Sequence, residues 1–584
     1  MPFLTKYIPR LFAIWALLLA LFTGYAILLA YHAGPYRDMW IAMDFIHSWF
    51  TGEASWLEIF SLHGGAHRLA VPNLLFLAEY GIFEGSNLFL MGVGFFTQLS
   101  VVYLVWQWVR NEVSLVMESR LLLVALCFLL MFNATQLENF IYTFDVQWFL
   151  TTAAAAWALR CWILSFAMDA SQHARRILVA VTGCVWGFVS LFSSFSGICV
   201  WLLLPVLMAV YQRRWLSFAL AAFLVAVILL SYTRGPFGGT TGWIGIQGEV
   251  TPASLVHFVV ALTALIFKWI FLYLGSPLGR EYPVLAAVFV GSSFVFLGFQ
   301  SLRLWRSGSA AFSSFQIWCL FIALFAAAVG LVTGWGRMHF VNTANEDRYQ
   351  SVTALYWLGV FSLAYLRTAN FRWLALAAIF FWACMVIPYF AIKDARAQVN
   401  FFDRVNTANL AIATGQWEFQ NIKSTLILGD KVKRISRPEL HGEFLREKGW
   451  GIFSTSEARQ LGKILDRMAV SDEDCEGQIL SIAPVGEVYQ GYRLAGRGYD
   501  LKSERLFEKL FIVNEENQVV GLARLQREKD SFLPITWQSR DNAQWIGFTV
   551  DLPEATTLEV WGERGDNSYC LIAKTATIPA PSTR

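Results

Sequence analysis

Charge is scarce in this 584-residue chain: Asp, Glu, Lys and Arg together make up 15% of it, while 56% is hydrophobic. That balance excludes an ordinary soluble enzyme, because so much apolar sequence cannot be hidden in a water-soluble fold. Cysteine is also sparse, with eight residues and neither a CxxC pair nor zinc-type spacing, which excludes zinc-ribbon and thioredoxin-like sites. The glycine-rich GPFGGTTGWIG stretch lacks the GK[ST] ending of a phosphate-binding loop, so no P-loop ATPase is encoded there. No internal repeat or low-complexity segment is visible, and the net charge of +3 points to no nucleic-acid partner.

What is abundant is apolar and aromatic sequence, with 25 Trp and 49 Phe, as expected where rings sit at bilayer interfaces. Apolar runs at 11–32, 86–108, 121–133, 147–168, 177–193, 197–211, 216–232, 284–302, 310–334, 352–366 and 372–391 give about eleven membrane spans. The N-terminal run reads as a retained signal-anchor helix, since a cleaved signal has a shorter apolar core. With the N-terminus cytoplasmic, each inner loop carries a basic pair: Lys6/Arg10, Arg110/Arg120, Arg175/Arg176, Arg213/Arg214, Arg303/Arg306 and Arg367/Arg372. This is the positive-inside pattern. The run 255–274, which contains Lys268, would invert every later loop if it crossed, so it reads as an in-plane or re-entrant helix.

The expected domains are therefore a transmembrane part, 1–391, with a first outer loop at 33–85, and a soluble part, 392–584. The soluble part starts helical by the spacing of its apolar residues. From about 477 it turns into short alternating runs, an α+β or β-sandwich pattern. Six cysteines (Cys127, Cys161, Cys184, Cys199, Cys319 and Cys384) lie in apolar segments as small core residues. Cys475 and Cys570 lie in the polar region and are able to pair in an oxidising compartment.

In this topology the outward loops hold nearly all the reactive side chains. The first contains Asp38, Asp44, Glu53, Glu58, His63, His67 and Arg68. The second, NATQLENFIYTFDVQW, contains Glu138, Asn139, Asp145 and Gln147. The last, GWGRMHFVNTANEDRYQS, contains Arg337, His339, Glu346, Asp347, Arg348 and Tyr349. Carboxylates and cations converging from separate loops suit transfer from a lipid phosphate: a carboxylate takes the proton of the attacking hydroxyl, and Arg or His neutralises the departing phosphate. The planar fork of Arg bonds two phosphate oxygens at once.

Each of these residues also has a plainer reading. Asp38 suits a solvated loop acid beside Arg37, His67-Arg68 and Lys268 suit interfacial anchors, and Arg348-Tyr349 an aromatic-belt pair. His63 and His67 have helical spacing for a metal, but no further ligand is placed, so no cofactor is expected and dependence on a divalent metal stays open. Trp537, Trp545 and Trp561 suit sugar stacking or a β-domain core equally.

A cytoplasmic N-terminus, one Asp just after the first span, a long first outer loop, about eleven spans and a C-terminal outer domain together resemble the GT-C superfamily of membrane glycosyltransferases. HGGAHRLAVPNLL, QLENFIYTFDVQWFL, SSFSGICVWLLLP and NEDRYQSVTALYW are similar to segments of bacterial members that include pilin-directed arabinofuranosyltransferases. The resemblance covers roughly residues 1–390. It implies a bacterial inner-membrane enzyme with a periplasmic C-terminal domain, a polyprenyl-phosphate sugar donor and, as acceptor, a pilin-like protein or glycan hydroxyl. It also implies an inverting transfer with Asp38 as base.

Under this reading His67, Arg68, Lys268, Arg337, Arg348 and Tyr349 meet the donor phosphate, while Asp44, Glu138, Asn139, Asp145, Gln147 and His339 meet sugar or acceptor. The sequence departs from the pattern in having no paired acid beside Asp38, which leaves Asp44 or Glu53 as substitutes. It also lacks a WWD-type acceptor motif, which disfavours transfer to Asn. An O-antigen-type polymerase or ligase is the nearer rival. A lipid-linked sugar transporter is the rival of another class, disfavoured because transport places polar groups near mid-membrane in repeated halves.

Overall fold

The computed structural model describes residues 2–63, 67–112, 114–212, 215–234, 263, 266–337, 344, 346–367, 369–416, 436–465, 475–485, 491–507, 509–526, 543–552, 555–564, 568–575 and 577–578. The chain divides into two compact units. The first comprises Met1–Ile27, Ser55–Leu75 and Leu90–Ala395, the second Leu28–Ala54, Phe76–Phe89 and Arg396–Arg584. Parts of the first outer loop, including Asp38, thus belong with the C-terminal region and not with the helices that flank them in sequence.

The first unit is helical. It opens with α1 (Pro2–Ala30); α2 (Met39–Phe50) belongs to the second unit and α3 (Ala70–Phe83) is divided between the two, and the first unit resumes in α4 (Leu88–Asn111). Next come α5 (Met117–Met131), the short α6 (Leu137–Ile141), α7 (Val146–Ala167), α8 (His173–Ser193), α9 (Ile198–Gln212) and α10 (Trp215–Arg234). A helical stretch at 266–274, α11, precedes α12 (Pro283–Ser307), α13 (Ser314–Arg337), α14 (Gln350–Arg367), α15 (Ala369–Phe381) and α16 (Ile387–Ala413).

Among the described residues, nine helices are long and apolar enough to cross a membrane, so the chain is a polytopic membrane protein. The expected runs 216–232 and 352–366 form α10 and α14, which fall outside those nine. α14 is buried along nearly its whole length, and a helix sheathed by protein has no need of a lipid-facing apolar surface. Of the expected re-entrant run 255–274, all but 263 and 266–274 lies outside the described residues. The described part buries one face, with Trp269, Tyr273 and Leu274 fully buried, and exposes Phe267 and Lys268. Thr353 and Trp357 of α14 donate to the carbonyls of Tyr273 and Leu274.

The tryptophans divide: Trp106, Trp305 and Trp335 are exposed near helix ends, as the interface-belt expectation has it, and others are core residues. Trp162, Trp201, Trp269, Trp318 and Trp357 are fully buried in the helical core. Trp318 donates its indole N–H to the Ala156 carbonyl at 3.0 Å, and Trp15 to that of Ala383 at 2.9 Å. An indole that satisfies its one donor inside the bundle behaves as a large core residue. Gly183 makes room for this packing: a Cβ there would come 2.6 Å from the Trp162 ring.

The second unit holds the helix Ser436–Lys448 and a single antiparallel sheet. Besides a two-residue ladder in the first unit, β1 (Leu62–His63) with β2 (His67–Arg68), the strands are β3 (Cys475–Pro484), β4 (Tyr492–Asp500), β5 (Lys509–Val513), β6 (Val519–Leu525), β7 (Gln544–Thr549), β8 (Glu559–Glu563) and β9 (Tyr569–Lys574). They run in the order β3-β4-β7-β6-β5-β8-β9.

Cys475 on β3 and Cys570 on β9 are disulfide-bonded, with their Cα atoms 6.3 Å apart. The two edge strands of a seven-stranded sheet therefore meet, and the expected β-sandwich is replaced by one curled, barrel-like sheet. Closure protects the edges that two flat sheets would leave open. Its interior is built by Leu494, Leu510, Ile512, Val520, Trp545, Val560 and Ile572. Trp545 fits only because Gly496, beside it on β4, has no Cβ. Trp545 is thus a core residue, Trp561 is buried with its N–H bonded to Glu559, and Trp537 lies outside the described residues.

Candidate functional site

At one end of the helical unit, four separate segments meet: β2, the α5–α7 connection, the start of α9, and the α13–α14 connection. Apolar helices deliver polar residues there because their ends leave backbone groups to satisfy. The α5–α7 connection is held by Asn139, which donates to the carbonyls of Asp347 at 3.1 Å and Arg348 at 3.4 Å. Trp148 packs edge-on against the Tyr349 ring at 5.2 Å, and Arg337, at the end of α13, lies 5.9 Å over the same ring.

Arg348 is the centre of this cluster. It pairs with Glu346 at 2.6 Å, and burial, which opposes its charge, is outweighed by Asp145, Glu346, Tyr349 and Glu138, so its pKa is raised. Glu138, Asn139, Asp145 and Gln147 are all buried. Buried acids persist only where a cation compensates them, and here Arg348 does so. Arg337 differs, because it forms no ion pair among the described residues. Tyr349 is buried, and burial with its acidic neighbours outweighs Arg337 and Arg348 to push its phenol up to about 12.

His67 and Arg68 are both held by protein partners. The Nδ1 of His67 accepts a hydrogen bond from the Phe195 amide at 3.2 Å, which leaves its proton on Nε2. Burial first, then the charges of His63 and Arg337, lower its pKa to about 4. At neutral pH it is a neutral hydrogen-bond donor and not a phosphate-binding cation. Arg68 is fully buried and donates to the carbonyls of Tyr232 at 2.9 Å and Phe60 at 3.0 Å. Its guanidinium ties loop to helix. Lys268 is exposed on α11, and His339 lies outside the described residues.

Beside this cluster, Arg280 bridges Asp347 and, at 2.8 Å, Asp394. Burial works against its charge, but the two carboxylates outweigh burial and raise its pKa. Lys393 pairs with Glu281, which also accepts from Tyr389 at 2.8 Å.

In the second unit, Asp38 is the half-buried first-cap residue of α2, and its side chain makes no capping hydrogen bond. Arg37 immediately before it is held at φ +48°, with its guanidinium 4.7 Å over Tyr36 and 5.8 Å over Phe401. A non-glycine residue in the left-handed region stores strain of the kind found at functional sites.

Asp44, two turns along α2, accepts from His441 Nε2 at 2.8 Å. His441 Nδ1 in turn faces His47 Nδ1 at 3.3 Å. With the His441 proton on Nε2, facing Asp44, its Nδ1 accepts a hydrogen bond from the Nδ1–H of neutral His47, whose Nε2 then carries a lone pair. Neither histidine was singled out by the sequence, because 394 residues separate the pair. The helical pattern that brings His441 to α2 appears only in three dimensions. Burial and the charge of His441 lower the His47 pKa, against Glu53, Glu447 and Asp44. Among the described residues no group of three or more His, Cys, Asp or Glu is placed to hold a metal.

Comparison with protein-family models, curated proteins and solved structures finds no match.

Proposed function

We propose that this chain is an inverting glycosyltransferase of GT-C type that moves a sugar from a polyprenyl-phosphate donor to a hydroxyl of a protein, such as a pilin, or of a glycan. The observation that carries the reading is the meeting of Arg337, Arg348, Tyr349 and the buried acids Glu138 and Asp145 at one end of an apolar helical unit. A lipid phosphate carries its charge at the end of an apolar span, and Arg337 forms no ion pair among the described residues. Arg348 and the Nε2–H of His67 supply further donors, while Arg68 does structural work.

In the proposed reaction the Asp38 carboxylate takes the acceptor's hydroxyl proton. The oxygen attacks the anomeric carbon from the face opposite the phosphate, and the C–O bond to phosphate breaks with its electron pair leaving on the lipid phosphate. The strained Arg37 beside Asp38 supports this choice of base. The balance requires one base and phosphate-neutralising cations, with no strong acid.

The proposed setting is the bacterial inner membrane, with about eleven spans once α10 and α14 are counted, the N-terminus cytoplasmic and the C-terminal domain periplasmic. The arginines that end α4, α12 and α14, namely Arg110, Arg306 and Arg367, support that orientation through the positive-inside rule. The Cys475–Cys570 disulfide supports an oxidising compartment for the sheet.

The test is transfer from a radiolabelled panel of polyprenyl-phosphate sugars, pentofuranoses first, in membranes containing wild-type or Asp38→Asn protein at matched levels. Incorporation by wild type and its loss in Asp38→Asn is the expected result. Transfer by both removes Asp38 as base, and translocation without transfer favours a transporter.

A further inference from the structure

The second unit contains a cavity of about 580 Å³, a size typical of small-ligand sites, and its walls are of an unusual kind. One wall is the 522–525 part of β6 with Lys509 of β5 and the loop before it, which carries Arg505. The opposite wall is the 403–413 part of α16. Helical spacing aligns Asp403, Asn406 and Asn409 on one face of it, followed by Leu410 and Ala413.

A helix laid against a sheet normally presents apolar residues and packs to full density. Here the facing stripe is Asp-Asn-Asn and the space is left unfilled. Asn406 spends its Nδ2 on the Tyr31 carbonyl at 2.9 Å. Asn409 is 5% exposed, and both its amide oxygen and nitrogen lack a hydrogen-bond partner. The same is true of Nδ1 of His32, which lines the cavity and is 2% exposed. Each is destabilising unless something supplies the missing bond. On the sheet side, Arg505 and Arg524 form no ion pair among the described residues.

We propose that this cavity binds a saccharide carrying one anionic group. Amides, a neutral imidazole and a carboxylate on the helix side match hydroxyls that both donate and accept. Arginines on the sheet side match a phosphate or carboxylate substituent. The Asn409 amide, buried at the wall without a partner, meets the ligand by rotating about its terminal torsion, which is broad and soft. The site stands apart from the transferase reading, because it needs neither lipid donor nor Asp38.

The test is equilibrium binding to the full-length detergent-solubilised protein, with glucose 1-phosphate, galacturonate, glucose and inorganic phosphate as probes. The expected result is saturable binding of glucose 1-phosphate or galacturonate, weaker binding of glucose, and weaker binding still of inorganic phosphate. Asn409→Leu, of similar volume, is expected to weaken the anionic sugar roughly tenfold or more while raising the melting temperature of the empty protein, so a folding defect cannot mimic the result. Arg524→Gln should bring the anionic sugars down to the level of glucose. Three outcomes overturn the proposal: no probe binding with Kd below about 1 mM, inorganic phosphate binding as tightly as the sugar phosphate, or binding unchanged in Asn409→Leu.

Discussion

The helical unit and the C-terminal sheet treat their cations in opposite ways. In the helices, Arg280 holds two carboxylates, Arg348 sits among the carboxylates of Asp145, Glu346 and Glu138, and Arg68 donates to two carbonyls. On and beside the sheet, Arg505 and Arg524 form no ion pair among the described residues. The difference follows from dielectric surroundings and not from secondary structure, as Arg564 demonstrates. It belongs to the β-domain but is buried, and it pairs with Asp500 at 3.0 Å. A charge removed from water must be compensated on the spot, whereas one left at a wet surface is available to a ligand.

The comparison breaks most visibly at Arg280. Arg280→Met leaves Asp347 and Asp394 facing each other with their shared cation gone, and the expected cost is about 3–5 kcal/mol. It is read as a fall in melting temperature of the detergent-solubilised protein. A smaller loss would mean the two acids are compensated elsewhere. Removing the sheet's staple with Cys475→Ser and Cys570→Ser opens a closure spanning 95 residues and is expected to cost about 2–4 kcal/mol. Protease sensitivity of β3 and β9 should rise, while the helical unit stays intact.

Acidification gives a third, smaller effect. The folded-state pKa of His67, about 4, lies below the ordinary histidine value of about 6.5. The unfolded chain therefore binds more protons between those values. His67 contributes its stability above pH 6.5 and loses it progressively as the pH falls toward 4. His67→Gln, which keeps a hydrogen-bonding side chain, should flatten that part of the stability–pH curve; an unchanged curve would assign the acid sensitivity to another group. The smallest effect is expected at Arg524→Gln, within about 0.5 kcal/mol in melting experiments, because no buried partner loses its charge.

The apolar runs made most spans legible, since a long stretch of uncharged sequence has few other fates. α14 was legible as a run but not as a sheathed helix, because its burial depends on neighbours far away in the chain. The strands of the sheet were visible by alternation, yet their order and the meeting of β3 with β9 were not: strand pairing is a long-range choice that periodicity does not encode. The cluster around Arg348 was anticipated by its residues and loops. The partners of His67-Arg68 were not legible, because Phe195 and Tyr232 lie far away in the chain. The Asp44–His441–His47 chain escaped notice for a similar reason, since His441 is joined to α2 only by folding.

The most direct measurement is the stoichiometry of lipid release by purified protein given its labelled donor and acceptor. Glycosyl transfer from a mono-phosphate donor predicts one polyprenyl monophosphate released for each sugar transferred, with the anomeric configuration inverted in the product. Release of a polyprenyl diphosphate, or movement of intact donor across a proteoliposome without any release, would contradict it.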